Sequence, residues 1–421
     1  MKKGRITVKV CIVGTGNQGT GMAGLLAQEP DVEELTLVDI DLARAQKAAD
    51  LVRSLGNRCK VRNLRVFQGD ASNVEEISKL ARGSDLIFNG IYACYNYPLM
   101  RASLAVGAHY TDLRSNVAEG PGVPYEETID AQLAMDQDFR NAGLTAVPCL
   151  GLSPGWANMV ANYMIEEMDS IDSVIFRDID WMDSTEILAP ISPRNVFYLW
   201  LGPPYPTRII NGKPEKIDLL DSEETYEFPA PAGRQKIYTF TQDPDIMLVT
   251  KFSKKPIPYI EAKMGICMGG LEMKDVWLKA ISEQTAKHAG AENMFDLFGE
   301  SLTYNTNFRE LHEQGILKNG MLSGSVEVTG RKDGVAVRHT AYHSATMLEA
   351  MKHIPWAAHN VYGTIGGICI EMVLMLCRGE YTKRGVINVA ELWTEKEMWD
   401  RRIARRGIML TEKIIKGTDL F

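Results

Sequence analysis

The 421-residue chain predicts an α/β protein: a Rossmann-type doubly wound parallel sheet joined to a second α/β domain built on a mixed sheet. Three observations carry that expectation. Short apolar runs alternate with amphipathic stretches through the first third, the pattern of strands buried under helices. A glycine-rich turn follows the first run directly. From about Ser170 the texture changes to β-rich runs separated by turns, which marks a differently built layer.

Taken in order, Val8–Val13 reads as the first buried strand, followed by Leu35–Val38, Leu64–Phe67, Leu86–Phe88 and Thr145–Pro148. Leu42–Leu55 and Val74–Leu80 read as the helices between them. Further on, Ser173–Asp180, Thr207–Ile210, Thr225–Phe228, Lys236–Thr241, Ile246–Lys251 and Ser325–His343 read as β-rich. Asn211-Gly212 and Lys332-Asp333-Gly334 read as hairpin turns, because Asn and Gly tolerate positive φ there. Helical patterns return from about Ala345, through the apolar Ile365–Cys377 and the charged Thr394–Arg406. Residues 1–150 are therefore expected to bind a dinucleotide, 151–350 to form a middle domain, and 351–421 to close the chain.

Composition narrows the function. Lys and Arg number 46 against 54 Asp and Glu, a net charge of −8, and no basic cluster is present. That balance argues against a nucleic-acid partner, which needs clustered cations. Hydrophobic residues at 45% and charged residues at 24% exclude wholesale disorder. The seven cysteines show no CxxC spacing, so a zinc ribbon or disulfide framework is not expected and a cytoplasmic location fits. The basic start leads straight into a strand, not into a signal-peptide core. Ile365–Cys377 is too short to span a bilayer and contains Glu371, so no membrane association is expected.

Gly14-Thr15-Gly16-Asn17-Gln18-Gly19 carries the chemistry. The first glycine allows a tight turn, the second lets the backbone approach a pyrophosphate, and the third permits close helix–strand packing. The following helix offers unpaired N–H groups and its positive dipole end to the phosphates. About twenty residues on, at the end of the second strand, Asp39 is placed to accept from both ribose hydroxyls. A carboxylate there repels a 2′-phosphate, so NAD is favoured over NADP; the nearest Arg is Arg44. Asp70, after the third strand, is a candidate contact near the adenine, or else part of a helix cap. Asn89 opens the loop through Tyr92, Cys94, Tyr95 and Tyr97 after the fourth strand, where the nicotinamide end of such a site lies.

Beyond this turn the chain resembles the saccharopine dehydrogenase superfamily, most of all its lysine 6-dehydrogenase and saccharopine reductase branches. His109-Tyr110-Thr111-Asp112 is similar to the family's "gxxYVD" strand, and Gly151-Leu152-Ser153-Pro154-Gly155 before the helix Trp156–Met168 to its "GxxPG" crossover. Ile210-Asn211-Gly212-Lys213, then Glu223 or Glu224 and Phe228-Pro229, resemble the middle domain's "nGk…E…fP" stretch. Gly385-Val386-Ile387-Asn388 and Arg406-Gly407-Ile408 resemble the closing segments. The resemblance implies a Rossmann domain, a middle domain for substrate binding and dimerisation, and C-terminal helices packing back on the Rossmann domain. It implies a homodimer. Two departures concern the substrate: Lys263-Met264-Gly265-Ile266-Cys267 stands where relatives carry an Arg-Tyr-Pro-Gly-His-like run, and Gly363-Thr364-Ile365-Gly366-Gly367 replaces a "GxP" loop.

Oxidising a C–N bond needs a hydride acceptor and a group that takes a proton from the ammonium. Asp112 is the candidate base, its plainer role being a loop acid or a cap. Tyr92 and Tyr95 are candidates for orienting the substrate, or for packing. Arg177, Arg194, Arg208 and Lys263 are candidates for a substrate carboxylate, or plain surface charges. His339 and His343 stand four apart, but their flanks read as strand and no acid completes a metal site. Trp181 and the Trp200–Tyr205 loop read as core or pocket lining, and Cys149 as a packed thiol.

These readings together predict an NAD(P)-dependent oxidoreductase acting on the CH–NH2 or CH–NH group of a small amino acid, as in lysine 6-dehydrogenase. The rivals are a reductive condensation of the saccharopine or carboxynorspermidine type, and a cofactor-binding protein without turnover.

Overall fold

The computed structural model describes residues 7–116, 124–189, 207–218, 220–240, 243–268, 271–272, 274–275 and 307–417. Two compact units emerge. One holds the residues up to Met159 with Thr364–Arg406; the other holds Val160–Gly363 with Gly407 onward.

In the first unit the strands are β1 (Val8–Val13), β2 (Val32–Asp39), β3 (Asn63–Gln68), β4 (Leu86–Asn89), β5 (His109–Asp112) and β6 (Thr145–Val147). A late strand, Gly385–Val386, joins them. Among the described residues these seven form one parallel sheet, ordered from that late strand through β6, β5, β4, β1 and β2 to β3. The order reverses between β1 and β4, so loops at their carboxyl ends diverge and leave a crevice there. Helices α1 (Asn17–Leu26), α2 (Leu42–Arg53), α3 (Val74–Leu80), α4 (Asn96–Val106) and α5 (Ile129–Ala134) follow successive strands. The interior strands read as near-continuous apolar runs because helices cover both faces. Helix Ile368–Cys377 packs against α1, β4 and β5. Its charged flanks tie it down: Arg378 pairs with Glu29 and Asp31, and Arg406 with Glu29 and Glu371. No single helix among the described residues is long and apolar enough to cross a membrane.

In the second unit the strands are β7 (Ser170–Ser184), β8 (Thr207–Ile210), β9 (Lys213–Lys216), β10 (Glu224–Glu227), β11 (Arg234–Thr239), β12 (Tyr259–Met268), β13 (Leu271–Glu272), β14 (Leu317–Lys332), β15 (Val335–Thr346) and, closing the chain after the Gly385–Val386 strand β16, β17 (Met409–Lys416). Their sheet runs β10-β11-β12-β7-β14-β15-β17, parallel between β12 and β7 and antiparallel along the rest of that path. The two hairpin turns form as expected: Asn211 and Gly212 take φ of 50° and 75°, Asp333 and Gly334 of 53° and 75°.

Two segments differ from the sequence reading. Ile246–Lys251, expected as β-rich, lies in a helix, Asp243–Phe252, whose Leu248 and Val249 are buried. An Asp-Pro start pre-sets helical φ, and this outweighs the apolar run. Met409–Lys416, expected among closing helices, is strand β17, held by its ladder with β15.

Candidate functional site

The Gly14–Gly19 turn is built by close backbone contact. Gly14 N–H donates to Val38 O at 2.7 Å, tying the turn to β2, and its φ of 89° suits glycine alone. A Cβ on Gly14 would overlap Ile91, and one on Gly19 would overlap the Gly14 carbonyl oxygen. Gly16 is the exception: a Cβ there would meet nothing within 4 Å. The turn is therefore packed on one side and open at Gly16.

The groups around that opening lack partners. Helix α1 starts at Gly16 with no side-chain cap and no acid in its first turn. Its first N–H groups have no intrahelical acceptors. Asn17 Oδ1 and Nδ2 and Gln18 Oε1 are shielded from water and have no hydrogen-bond partner among the described residues. Buried polar atoms are normally satisfied. Here the uncapped N–H groups and Asn17 Nδ2 are donors suited to an anionic group, while the Asn17 and Gln18 amide oxygens are acceptors suited to a ligand's hydroxyl or N–H. Asp39 closes the corner. It is 4% exposed, with Oδ2 accepting from Thr15 N (2.8 Å) and Thr15 Oγ1 (3.0 Å) and Oδ1 from Asp41 N (3.0 Å) and Arg44 Nη1 (3.2 Å). The sequence reading missed the role of Thr15, between the first two glycines, and the Arg44 contact.

The structure brings Gly14, Gly16, Asn17, Gln18, Gly19 and Asp39 to one edge of the sheet. Asp70 and Asn89, also at strand ends, are engaged locally. Asp70 accepts from Ser72 N and Oγ, which lowers its pKa, and the cap of α3 is Asn73. Asn89 accepts from Ile91 N and donates to Asn96 at 2.7 Å.

Asp112 sits at the end of β5, and the structure encloses it where the sequence reading expects a cleft-facing acid. Its carboxylate is 1% exposed and accepts from Cys149 N at 2.8 Å and Gln132 Nε2 at 2.7 Å. The Arg114 backbone and the Tyr110 hydroxyl also hydrogen-bond it; burial outweighs these donors and pushes its pKa up to about 7. Gln132, Asn96 and Tyr110 extend the network, with Asn96 donating to Gln132 Oε1 at 3.1 Å and Tyr110 to Asn96 at 3.1 Å. Cys149, expected as a packed thiol with no base nearby, is buried with φ of 58° and its N–H on that same carboxylate. Tyr92 is exposed, while Tyr95 packs partly on the core.

The basic candidates lie in the second unit and are compensated by carboxylates. Arg177 Nε donates to Glu224 at 2.9 Å and its Nη1 to Glu327 at 3.3 Å, with the guanidinium 4.6 Å over the Tyr226 ring. Lys263, opposite Arg177 in the ladder, pairs with Glu224 at 3.2 Å and Glu261 at 3.8 Å. Arg208 pairs with Glu215 across the β8–β9 hairpin at 3.0 Å. Arg194 and the Trp200–Tyr205 loop lie outside the described residues. Trp181 packs on an apolar cluster containing Ile179, Phe228 and Met321. His339 and His343 lie on strand β15, where residues four apart stand about 13 Å from each other, and His339 pairs with Glu412. The sequence reading also missed a buried trio. Asp180 accepts from His359 Nε2 at 2.8 Å and Asn360 Nδ2 at 2.6 Å, with Gly320 leaving room for the imidazole.

Comparison with known proteins agrees with the turn. Residues 10–147 match the model of the saccharopine dehydrogenase NADP binding domain. That match covers about the first third of the chain. A carboxynorspermidine synthase of Vibrio cholerae is 24% identical over 90% of this chain and 91% of its own. One from Vibrio alginolyticus is 23% identical over the same shares. The solved saccharopine dehydrogenase (L-Glu forming) of Saccharomyces cerevisiae shares the fold, with a TM-score of 0.65 at 13% identity over 97% of this chain and all of that one. The matched segment supports a nicotinamide dinucleotide as the cofactor class, and the solved structure supports the fold.

Proposed function

We propose that the protein is an oxidoreductase of the C–N bond, working on an amino acid or its amine adduct, and that it joins an amine to a carbonyl compound reductively. The carrying observation is the Gly14–Gly19 corner, with its orphaned Asn17 and Gln18 atoms and the open face of Gly16. The match to two carboxynorspermidine synthases over 90% of the chain favours condensation over lysine 6-dehydrogenation.

In this reading the nicotinamide, when bound, exchanges hydride with the carbon of the C–N bond. The chain's own residues bind and position. The α1 N-terminus and Gly16 would hold the pyrophosphate, and Asp39 the adenosine ribose, which favours NAD. Asp112 is a positioning residue. A base must reach the proton that it takes, and Asp112's oxygens instead hold Cys149 and Gln132. The basic residues Arg177 and Lys263 hold their sheet together, leaving the residue that holds a substrate carboxylate unassigned. A homodimer remains part of the proposal.

The test follows absorbance of the reduced nicotinamide. NADH or NADPH should be consumed only when a diamine or amino acid and an aldehyde or keto acid are supplied together. Reduction of NAD by lysine alone would restore the lysine 6-dehydrogenase reading. Cofactor binding with neither reaction, across a panel of amines and carbonyls, would leave a binding protein.

A further inference from the structure

We propose that Arg44 is a displaceable guard on Asp39, through which one ribose corner accepts both the 2′-phosphorylated and the unphosphorylated dinucleotide. This rests on reading the Gly14–Gly19 turn as a dinucleotide site. An ionised carboxylate has about four acceptor positions, and Asp39 already receives four hydrogen bonds. A ribose hydroxyl therefore reaches it only by displacing a donor. Two of the four donors are backbone N–H groups, Thr15's in the glycine turn and Asp41's between β2 and α2, and Thr15 Oγ1 belongs to a buried side chain.

Arg44 differs on every count. Its side chain is 51% exposed, its contact at 3.2 Å is the longest of the four, and a second acid, Asp41, stands 3.9 Å from its other terminal nitrogen. The pair is exposed on its cationic side alone, where water and a ligand can compete for the guanidinium. A 2′-hydroxyl would take the place that Arg44 leaves on Oδ1. The released fork stays tethered on the first turn of α2, where a 2′-phosphate would meet it. Guanidinium is suited to that group because its planar donors match phosphate oxygens, and it would offset repulsion from Asp39 and Asp41. Ile40, 60% exposed between the two acids, adds an apolar surface beside the corner on which a planar base can rest.

Fluorescence titration of NADH and NADPH, each without substrate, tests the guard. The proteins are wild type, Arg44→Ala and Arg44→Lys, with thermal melts as a check on folding. Wild type should bind both. Arg44→Ala should weaken NADPH by roughly tenfold or more, the scale of a charged hydrogen bond, and bind NADH at least as tightly. Arg44→Lys should restore part of the NADPH affinity. Salt should weaken NADPH more steeply than NADH in wild type, and that excess should vanish in Arg44→Ala. A folded Arg44→Ala with an unmoved NADH-to-NADPH ratio, or a wild type that refuses NADPH, overturns the guard. Folded wild type binding neither cofactor overturns the functional reading as well. A shifted ratio without turnover on any substrate overturns the functional reading alone.

Discussion

Around Gly16 polar atoms stand without partners, whereas around Arg177 each charge faces an opposite one. In the first region Asn17 and Gln18 carry orphaned atoms beside an uncapped helix end. In the second, Arg177, Lys263, Glu224, Glu261 and Glu327 compensate one another across neighbouring strands, and the Glu261 carboxylate is further held by the Thr239 and Tyr259 hydroxyls. Both regions hold residues that the sequence marks as ligand-binding. The difference separates them: a site keeps unmet hydrogen-bonding capacity for its ligand, and a structural network meets its own.

The sharpest way to break this contrast is Arg177→Ala. The guanidinium is nearly enclosed and bridges two carboxylates, so its loss leaves Glu224 to Lys263 at 3.2 Å and Glu327 to Arg338 at 3.8 Å. Breaking a buried pair costs about 3–5 kcal/mol. Urea unfolding should show a loss on that scale, and a loss under about 1 kcal/mol would return Arg177 to the substrate candidates.

Asp112 gives a comparable effect with a pH signature. Burial raises its folded pKa to about 7, above an unfolded value of about 3.9. The fold therefore favours the protonated acid: its contribution to stability is complete below about pH 4 and disappears as pH rises through about 7, a change on the order of 4 kcal/mol. Asp112→Asn removes that titration. The stability difference between variant and wild type should move by this amount between pH 4 and pH 8 in urea unfolding, in favour of the variant at high pH. A difference that stays flat with pH would mean that the acid does not titrate in the fold.

Gly16→Ala tests the other region with a smaller effect. A Cβ there meets nothing within 4 Å, so melting should change little. It would intrude on the face through which a pyrophosphate approaches, and NADH affinity should drop by roughly tenfold or more, about 1.4 kcal/mol. Gly19→Ala, whose Cβ overlaps the Gly14 carbonyl, should instead lower the melting temperature. If both variants behave alike, the packed and open sides of the turn are not distinct.

What the sequence reveals of these regions follows the distance over which each feature is decided. Val8–Val13, the turn after it, Asp39 at the end of β2 and both hairpin turns are set within a few residues by pattern and positive φ. Strand β17 is different: its Glu412 and Lys413 are exposed and only the ladder with β15, some seventy residues earlier, makes it a strand. The same holds in the sites. Asp112 is legible as a strand-end acid, but its enclosure depends on Gln132, twenty residues on. Arg177 is legible as a cation, yet its partners lie 47 and 150 residues away. Charge type is local information; compensation is not.

Arg208 marks the weak end of the comparison, where compensation is least complete. Its pair with Glu215 lies on the β8–β9 hairpin, with side chains 34% and 52% exposed, and water competes with both. Exposed pairs contribute about 0–1 kcal/mol. Arg208→Ala should therefore lower stability by less than about 1 kcal/mol in urea unfolding, several-fold below Arg177→Ala, because Glu215 is 52% exposed while Glu224 and Glu327 are 27% and 14% exposed. That small cost makes Arg208 the one of the three described basic candidates that a substrate carboxylate can recruit without dismantling the sheet. Steady-state kinetics on the variant decides it. A KM raised tenfold or more at constant kcat assigns the carboxylate to Arg208, and an unchanged KM leaves the hairpin pair as surface electrostatics.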